Sequence, residues 1–379
     1  MLEEITNEPR LRLNGEFKVL TATLTLICAI GWGMMTSASS ANGARSWGDS
    51  WYYSKRQLAA IAVGIILAWA ISRLHVKIIR LLSLPALLAT VALLVLVLKQ
   101  GHNVYGQQNW IALPLGFNLQ PSELAKFTLI LSAAAWIRFC AKYGFNLRLR
   151  IAGIALMTLA VVVLVLMEKD FGNPVIILAI GVAIITVAGA PMRWLWWFIG
   201  LGVAALAVVF ATGGLYRLDR ITAWLHPEQD ASGGGYQLLH GKFALADGGW
   251  LGLGIGQSTE KWGALPQPHT DFILPIIAQE LGVVGTGLVM VLLITLIAVA
   301  FHIADHSHDY YDRIVAFGIA TWLTVQTIVN VGGVTQLLPI TGVPLPFVSY
   351  GGTSIVLLMA AMGVLLGIAR NNSAQVDEV

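Results

Sequence analysis

Residues 271–303 read DFILPIIAQELGVVGTGLVMVLLITLIAVAFHI. Two carboxylates, Asp271 and Glu280, stand in the first third, and no Lys or Arg occurs anywhere in the run. A helix needs about 20 mostly apolar residues to cross the hydrocarbon layer of a bilayer. This stretch is long enough to cross with a tilt or a break. Working outward, the same character recurs near Phe17–Ser39, Leu58–Leu74, Ile78–Leu98, Pro121–Cys140, Leu149–Met167, Gly172–Ala190, Trp194–Thr212, Ile314–Leu338 and Leu345–Arg370. The expected fold is therefore an all-α polytopic membrane protein with ten transmembrane helices. Its one long connection lies between the seventh and eighth, at residues 213–270. Ten-residue alternating strands, the mark of a membrane barrel, are absent from the pattern.

Composition agrees. Of 379 residues, 57% are hydrophobic and 11% charged, against about 25% charged in a soluble domain. So little charge cannot coat a globule of this size, which excludes soluble, disordered and nucleic-acid-binding readings. The net charge of +3 includes no basic block, and two cysteines make no disulfide framework. The small residues Ser37, Ala38 and Ser39 could end a signal peptide, but the apolar run is long and an acidic head with Glu3, Glu4 and Glu8 precedes it. Retention of the first span is expected.

Lys and Arg in the short connections number thirteen on one side and five on the other. The positive-inside rule then puts both termini, residues 1–16 and 371–379, in the cytoplasm of a cell whose inner membrane holds the chain. The 213–270 connection becomes extracytoplasmic. It contains Gly248-Gly249-Trp250-Leu251-Gly252-Leu253-Gly254-Ile255-Gly256. That run lacks the preceding strand and the later acidic residue of a dinucleotide site. A tight turn at the membrane surface is the better reading.

Asp271 is the first candidate for chemistry. It follows Pro266, Pro268 and His269 at the outer start of the eighth span. A carboxylate there can cap the helix and can also act as a base. Glu280 comes nine residues later; nine steps of about 100° leave about 180°, so on a regular helix the two face opposite ways. Glu280 must find another partner, because unpaired intramembrane charge is expensive. In Gln120-Pro121-Ser122-Glu123-Leu124-Ala125-Lys126, Glu123 and Lys126 share a helix face and can pair. A structural ion pair is expected there, with a head-group role for Lys126 as the sharper alternative. Glu168, Lys169 and Asp170 form the short outer turn between the fifth and sixth spans. His302, His306 and His308, with Asp305 and Asp309, read as a solvated cytoplasmic loop face, and His226, His240 and His269 match no zinc spacing. Prolines at 339, 344 and 346 interrupt the outer start of the tenth span, tolerated at that depth only beside protein or a water-lined cavity.

With these pieces in hand, the sequence resembles the shape, elongation, division and sporulation (SEDS) family of membrane glycosyltransferases. The matching pieces are Gln120 to Lys126, Asp170-Phe171-Gly172, Tyr236-Gln237 with Gly248-Gly249, His269-Thr270-Asp271-Phe272, Glu280-Leu281-Gly282, Asn330, Gly342-Val343-Pro344-Leu345-Pro346 and Ser349-Tyr350-Gly351-Gly352. They run in family order over nearly the whole chain. Spacing from Gly256 through Lys261 to Pro266 is more similar to the division (FtsW) branch than to the elongation (RodA) branch. Asn109 before Trp110, Asn173 and Asp247 depart from the usual pattern.

The resemblance implies a single membrane domain over 1–379 that polymerises lipid II into glycan strands at the outer face and releases undecaprenyl pyrophosphate. It implies a class B penicillin-binding protein as transpeptidase partner, alongside divisome or elongasome components and no nucleic acid. The family's essential acid falls on Asp271. Glu123, Lys126, Asp170, Gln237, His269 and Ser349 are expected to bind substrate, and Glu280 and Asn330 to organise the intramembrane core. A leaving pyrophosphate needs positive charge, for which Arg217, Arg220, Lys242 and Lys261 are candidates; a divalent cation, Mg or Mn, could also supply it. A lipid II flippase would carry similar spans and broken helices, and a silent scaffold is a further rival, but the polar candidates gather on one face.

Overall fold

The structure, a computed structural model, describes residues 15–104, 107–112, 118–212, 222–230 and 233–376. A helix lies on each of the ten apolar stretches. In chain order α1 spans Gly15–Trp47, α2 Tyr52–Arg73 and α3 Val76–Gln100. They are followed by α4 at Pro121–Lys142, α5 at Leu147–Met167, α6 at Gly172–Val187 and α7 at Met192–Thr212. Helix α8, Gly234–Asp247, belongs to the long connection between the seventh and eighth stretches. The last three are α9 at Ile273–Asp305, α10 at Tyr310–Val334 and α11 at Gly352–Val376. Among the described residues eight helices (α1–α5 and α9–α11) are long and apolar enough to cross a membrane, while α6, with 16 residues, is short.

Burial sorts the helices into layers. Over their most apolar windows α11 is 72% buried, α10 67% and α4 61%, whereas α3 is only 28% buried. Helices α4, α10 and α11 thus form the middle, and α3 turns leucines such as Leu81 and Leu88 outward, where lipid tails are as good a solvent as protein. Around that middle α2 packs on α11, α3 on α4, α1 on α9 and α9 on α10.

Three local features depart from the sequence expectations. Helix α1 runs past Ser39 to Trp47. Helix α11 starts at Gly352 rather than Leu345, because Pro344, Pro346 and the positive φ of Phe347 (63°) hold the preceding segment out of helix. Between α3 and α4 lies a small antiparallel sheet of β1 (His102–Val104), β2 (Gln107–Ala112) and β3 (Asn118–Leu119), ordered β1-β2-β3. The hydroxyl of Thr353 donates to the Asn118 carbonyl (2.7 Å) and ties the sheet to the start of α11.

Helix α9 breaks at Gly282, where φ is 68° and ψ −167°. L residues scarcely occupy that region. The break frees backbone groups that must be paired at membrane depth, and the glycine-rich run pairs them. Leu253 and Gly254 donate N–H to the carbonyls of Gln279 (2.9 Å) and Glu280 (3.0 Å). Val283 and Val284 donate to Gly249 (2.9 Å) and Trp250 (3.2 Å). A Cβ on Gly252 would strike the Glu280 carbonyl, so glycine lets the two backbones meet. The break also divides α9. Ile273 to Glu280 are buried without exception, whereas Val283, Val284, Val291 and Ile294 are each more than half exposed and face outward.

Candidate active site

Asp271 sits just before α9, one residue ahead of its N-cap Phe272. Its backbone is pinned from α10: Asn330 Nδ2 donates to the Asp271 carbonyl (2.8 Å) and to the Val343 carbonyl (2.8 Å). The Thr270 hydroxyl donates to Asp271 Oδ1 (2.9 Å). Asp271 lines a shallow cleft together with Asn330, Ile340, Thr341, Gly342 and Val343. The prolines that delay α11 therefore leave an irregular wall facing the eighth stretch. Asn330 joins that wall to the acid.

His269 does not reach into the cleft as a free ring. It is 2% exposed and packs on Tyr53 (4.5 Å between centroids) and Tyr350 (5.5 Å). Its Nδ1 has no hydrogen-bond partner among the described residues, and burial pushes its pKa down to about 4. His269 is thus neutral at pH 7 and positions the segment, since its carbonyl accepts from the Tyr350 amide (2.8 Å). Ser349 is likewise turned inward: its hydroxyl oxygen accepts from the Leu345 amide (2.8 Å) and its carbonyl from Gln57 Nε2 (3.1 Å). Gln237 donates to the Pro266 carbonyl (3.2 Å), fixing α8 against the segment that leads to Asp271.

The other polar candidates form two buried networks. In one, Lys126 Nζ donates to Glu123 (2.5 Å), Asn173 Oδ1 (3.0 Å) and Gln326 Oε1 (3.3 Å), and lies 5.2 Å from the Trp322 ring centre. Three donors meet three acceptors, so the ammonium has no proton left for a head group. This is the geometry of a structural ion pair. Asp170 accepts from the amides of Gly172 (3.0 Å) and Asn173 (3.2 Å) and from Asn173 Nδ2 (2.8 Å). It therefore caps α6. Asn173, a departure from the family pattern, has the reach to link Asp170 to Lys126. Beside them Glu168 is fully buried with neither oxygen paired among the described residues, and burial lifts its pKa to about 9.

In the second network Lys261 Nζ donates to Glu280 Oε1 (2.8 Å) and Ser37 Oγ (3.0 Å), and Ser37 donates back to Glu280 (2.8 Å). Lys261 is 2% exposed. Its ammonium is paired with the one acid buried in α9, the geometry of a structural ion pair. In the sequence Ser37 stands only as a possible signal-peptide end, and the amides Gln57, Gln279 and Gln326 are not marked. Their signal was available, as polar residues inside or beside apolar runs. Lys242 stays half-buried, its Nζ on Gln336 Oε1. Arg217 and Arg220 lie outside the described residues. Among the described residues no group of three metal-ligating side chains lies at this end of the bundle.

Against known proteins, residues 17–374 match the family model described as "Cell cycle protein", which covers FtsW, RodA and SpoVE. The chain belongs to this family. A relative from Trichlorobacter lovleyi, named "Probable peptidoglycan glycosyltransferase FtsW", is 36% identical over 97% of this chain and 96% of its own. One of the same name from Coxiella burnetii is 37% identical over 93% and 95%. Stage V sporulation protein E of Bacillus subtilis is 33% identical over 93% and 96%. Among solved structures, a chain described under "Structural coordination of polymerization and crosslinking by a peptidoglycan synthase complex" superposes with a TM-score of 0.74 at 29% identity, covering 93% of this chain and 97% of that one. RodA, the rod shape determining protein of Thermus thermophilus, gives 0.68 at 27% identity over 93% and 96%. This family member is thus a multi-pass membrane protein of the FtsW-like kind.

Proposed function

We propose that this family member is a peptidoglycan glycosyltransferase that polymerises lipid II at the outer face of the cytoplasmic membrane, with Asp271 as general base. The observation that carries the assignment of the base is Asp271 on the wall of the cleft, its backbone carbonyl held by Asn330. A sugar hydroxyl is a poor nucleophile at neutral pH. A carboxylate within hydrogen-bond reach takes its proton as the oxygen attacks the anomeric carbon. One C–O bond forms there while the bond to the lipid pyrophosphate breaks. Lys242, with Arg217 and Arg220, would meet the charge developing on that leaving group. The polyprenyl tail stays in lipid while the head reaches the cleft, which accounts for a site at one end of a membrane bundle.

The same reading takes the ten helices on apolar stretches as ten spans of one domain, both termini in the cytoplasm and residues 213–270 outside. It takes a class B penicillin-binding protein as the crosslinking partner and cell division as the setting. The relatives named FtsW support the division setting, and the similar chain solved in a complex that couples polymerisation to crosslinking supports the partner. Purified protein incubated with lipid II provides the test. Glycan polymer, with release of undecaprenyl pyrophosphate, is expected; translocation of lipid II across vesicles without polymer would overturn the assignment in favour of a transporter.

A further inference from the structure

The far end of the bundle carries a cluster that the glycosyl-transfer reading does not use. The sequence places His302 and His306 in a loop, but both positions belong to the last turns of α9 or its C-cap. Four residues apart, they lie on one helix face, with ring centroids 4.0 Å from each other. Glu16, in the first turn of α1, approaches from the neighbouring helix and brings Oε1 to 3.0 Å from His302 Nε2. Ligand atoms of the three residues all lie within 4.8 Å of one another.

Two details point to a ligand rather than a plain ion pair. Glu16 Oε2 is buried with no hydrogen-bond partner among the described residues. His306 Nδ1 lies 2.9 Å from the His302 carbonyl. An Nδ1–H bonded to a backbone carbonyl fixes the tautomer and leaves Nε2 with its lone pair outward, the arrangement that metal-bound histidines use. The neighbouring carboxylates do not compete. Asp305 faces Arg313 (3.6 Å), and Asp309 is held by Arg138 (2.5 Å) while capping α10.

We propose that Glu16, His302 and His306 form a site for a borderline transition-metal dication, Zn²⁺ or a similar ion, that clamps the start of α1 to the end of α9. Two imidazoles and one carboxylate suit Zn²⁺, Co²⁺ or Ni²⁺ and not Mg²⁺. Ligand bonds of about 2.0–2.2 Å are met by small side-chain rotations that draw the three groups together. Water fills the remaining position, since both histidines are exposed. The site is open to exchange with the surrounding solution. Its occupancy would be felt as resistance to separation of the two 33-residue helices, α1 and α9.

The test uses the full chain without a polyhistidine tag, stripped with chelator and titrated in detergent with Co²⁺ and then Zn²⁺. One Co²⁺ per chain with visible d–d absorption is expected. Zn²⁺ should displace it and raise the thermal midpoint, and Mg²⁺ should do neither. His302→Ala and His306→Ala should each weaken binding by more than about tenfold, the least that even an outer-shell partner contributes. Glu16→Gln should weaken it as well. His302→Asn, which keeps a polar group of similar reach, guards against a folding defect. A wild-type chain without a stoichiometric Co²⁺ band overturns the proposal, as does binding that survives the His302→Ala/His306→Ala double substitution.

Discussion

Replacing Lys261 with Met separates a structural role from a substrate-binding one. In the wild type the ammonium lies 2.8 Å from Glu280, with side chains 2% and 0% exposed. Removing one member of such a pair leaves a buried carboxylate with the Ser37 hydroxyl and a longer contact from the Ser258 amide (3.4 Å), and no cation. That typically costs about 3–5 kcal/mol, whereas replacing both members with neutral groups of similar volume is often nearly neutral. Lys261→Met should therefore lower the thermal midpoint strongly. Adding Glu280→Gln should recover most of the loss, and lipid II polymerisation should return with the fold. Both readouts come from the purified protein, by unfolding in detergent and by glycan product. A Lys261→Met protein with wild-type stability and no polymerisation would refute this reasoning and return Lys261 to the substrate.

Two further outcomes follow from the same geometry. Gly282→Ala forces a Cβ onto φ 68°, ψ −167° and into the Trp250 and Gly252 backbones; backbone strain alone is worth about 1–3 kcal/mol. The variant should unfold earlier and expose residues 249–254 to protease, and an unchanged midpoint and digest would contradict the bridging role of that loop. His269 has a folded pKa near 4, below its unfolded value, so the unfolded chain binds more protons and stability falls as pH drops from about 6.5 toward 4. By pH 5 the loss is about 2 kcal/mol, measurable as a fall in thermal midpoint that His269→Phe should lack; parallel pH profiles for the two proteins would contradict it.

Much of the architecture could be read before any coordinates, because a span must hide its own backbone and announces itself as about 20 apolar residues. The length of its stretch allows for the break in α9, as the prolines at 344 and 346 do for the late start of α11. What could not be read was rotation. Ser37 and Glu280 are 243 positions apart, and α1 and α9 are apolar nearly all round, so periodicity says little about which faces meet. Lys261 looked like outer-surface charge because its loop is polar; only the fold of the glycine run onto Gly282 brings it inward. Likewise Glu16 and the α9 histidines meet through helix packing, which local sequence does not encode. Asp271 itself stood out early, as a carboxylate on the lip of an apolar run, whereas the clamp on its carbonyl needed the position of α10.

The most direct measurement is the polymerisation rate of Asp271→Asn against wild type, in matched detergent, with thermal unfolding of both. Asparagine keeps the shape and the Thr270 contact but cannot take a proton. A carboxylate acting as general base contributes about 10²–10⁴ in rate, so the account predicts a loss of that size in kcat with the unfolding midpoint little changed. Glycan product formed at the wild-type rate would contradict it.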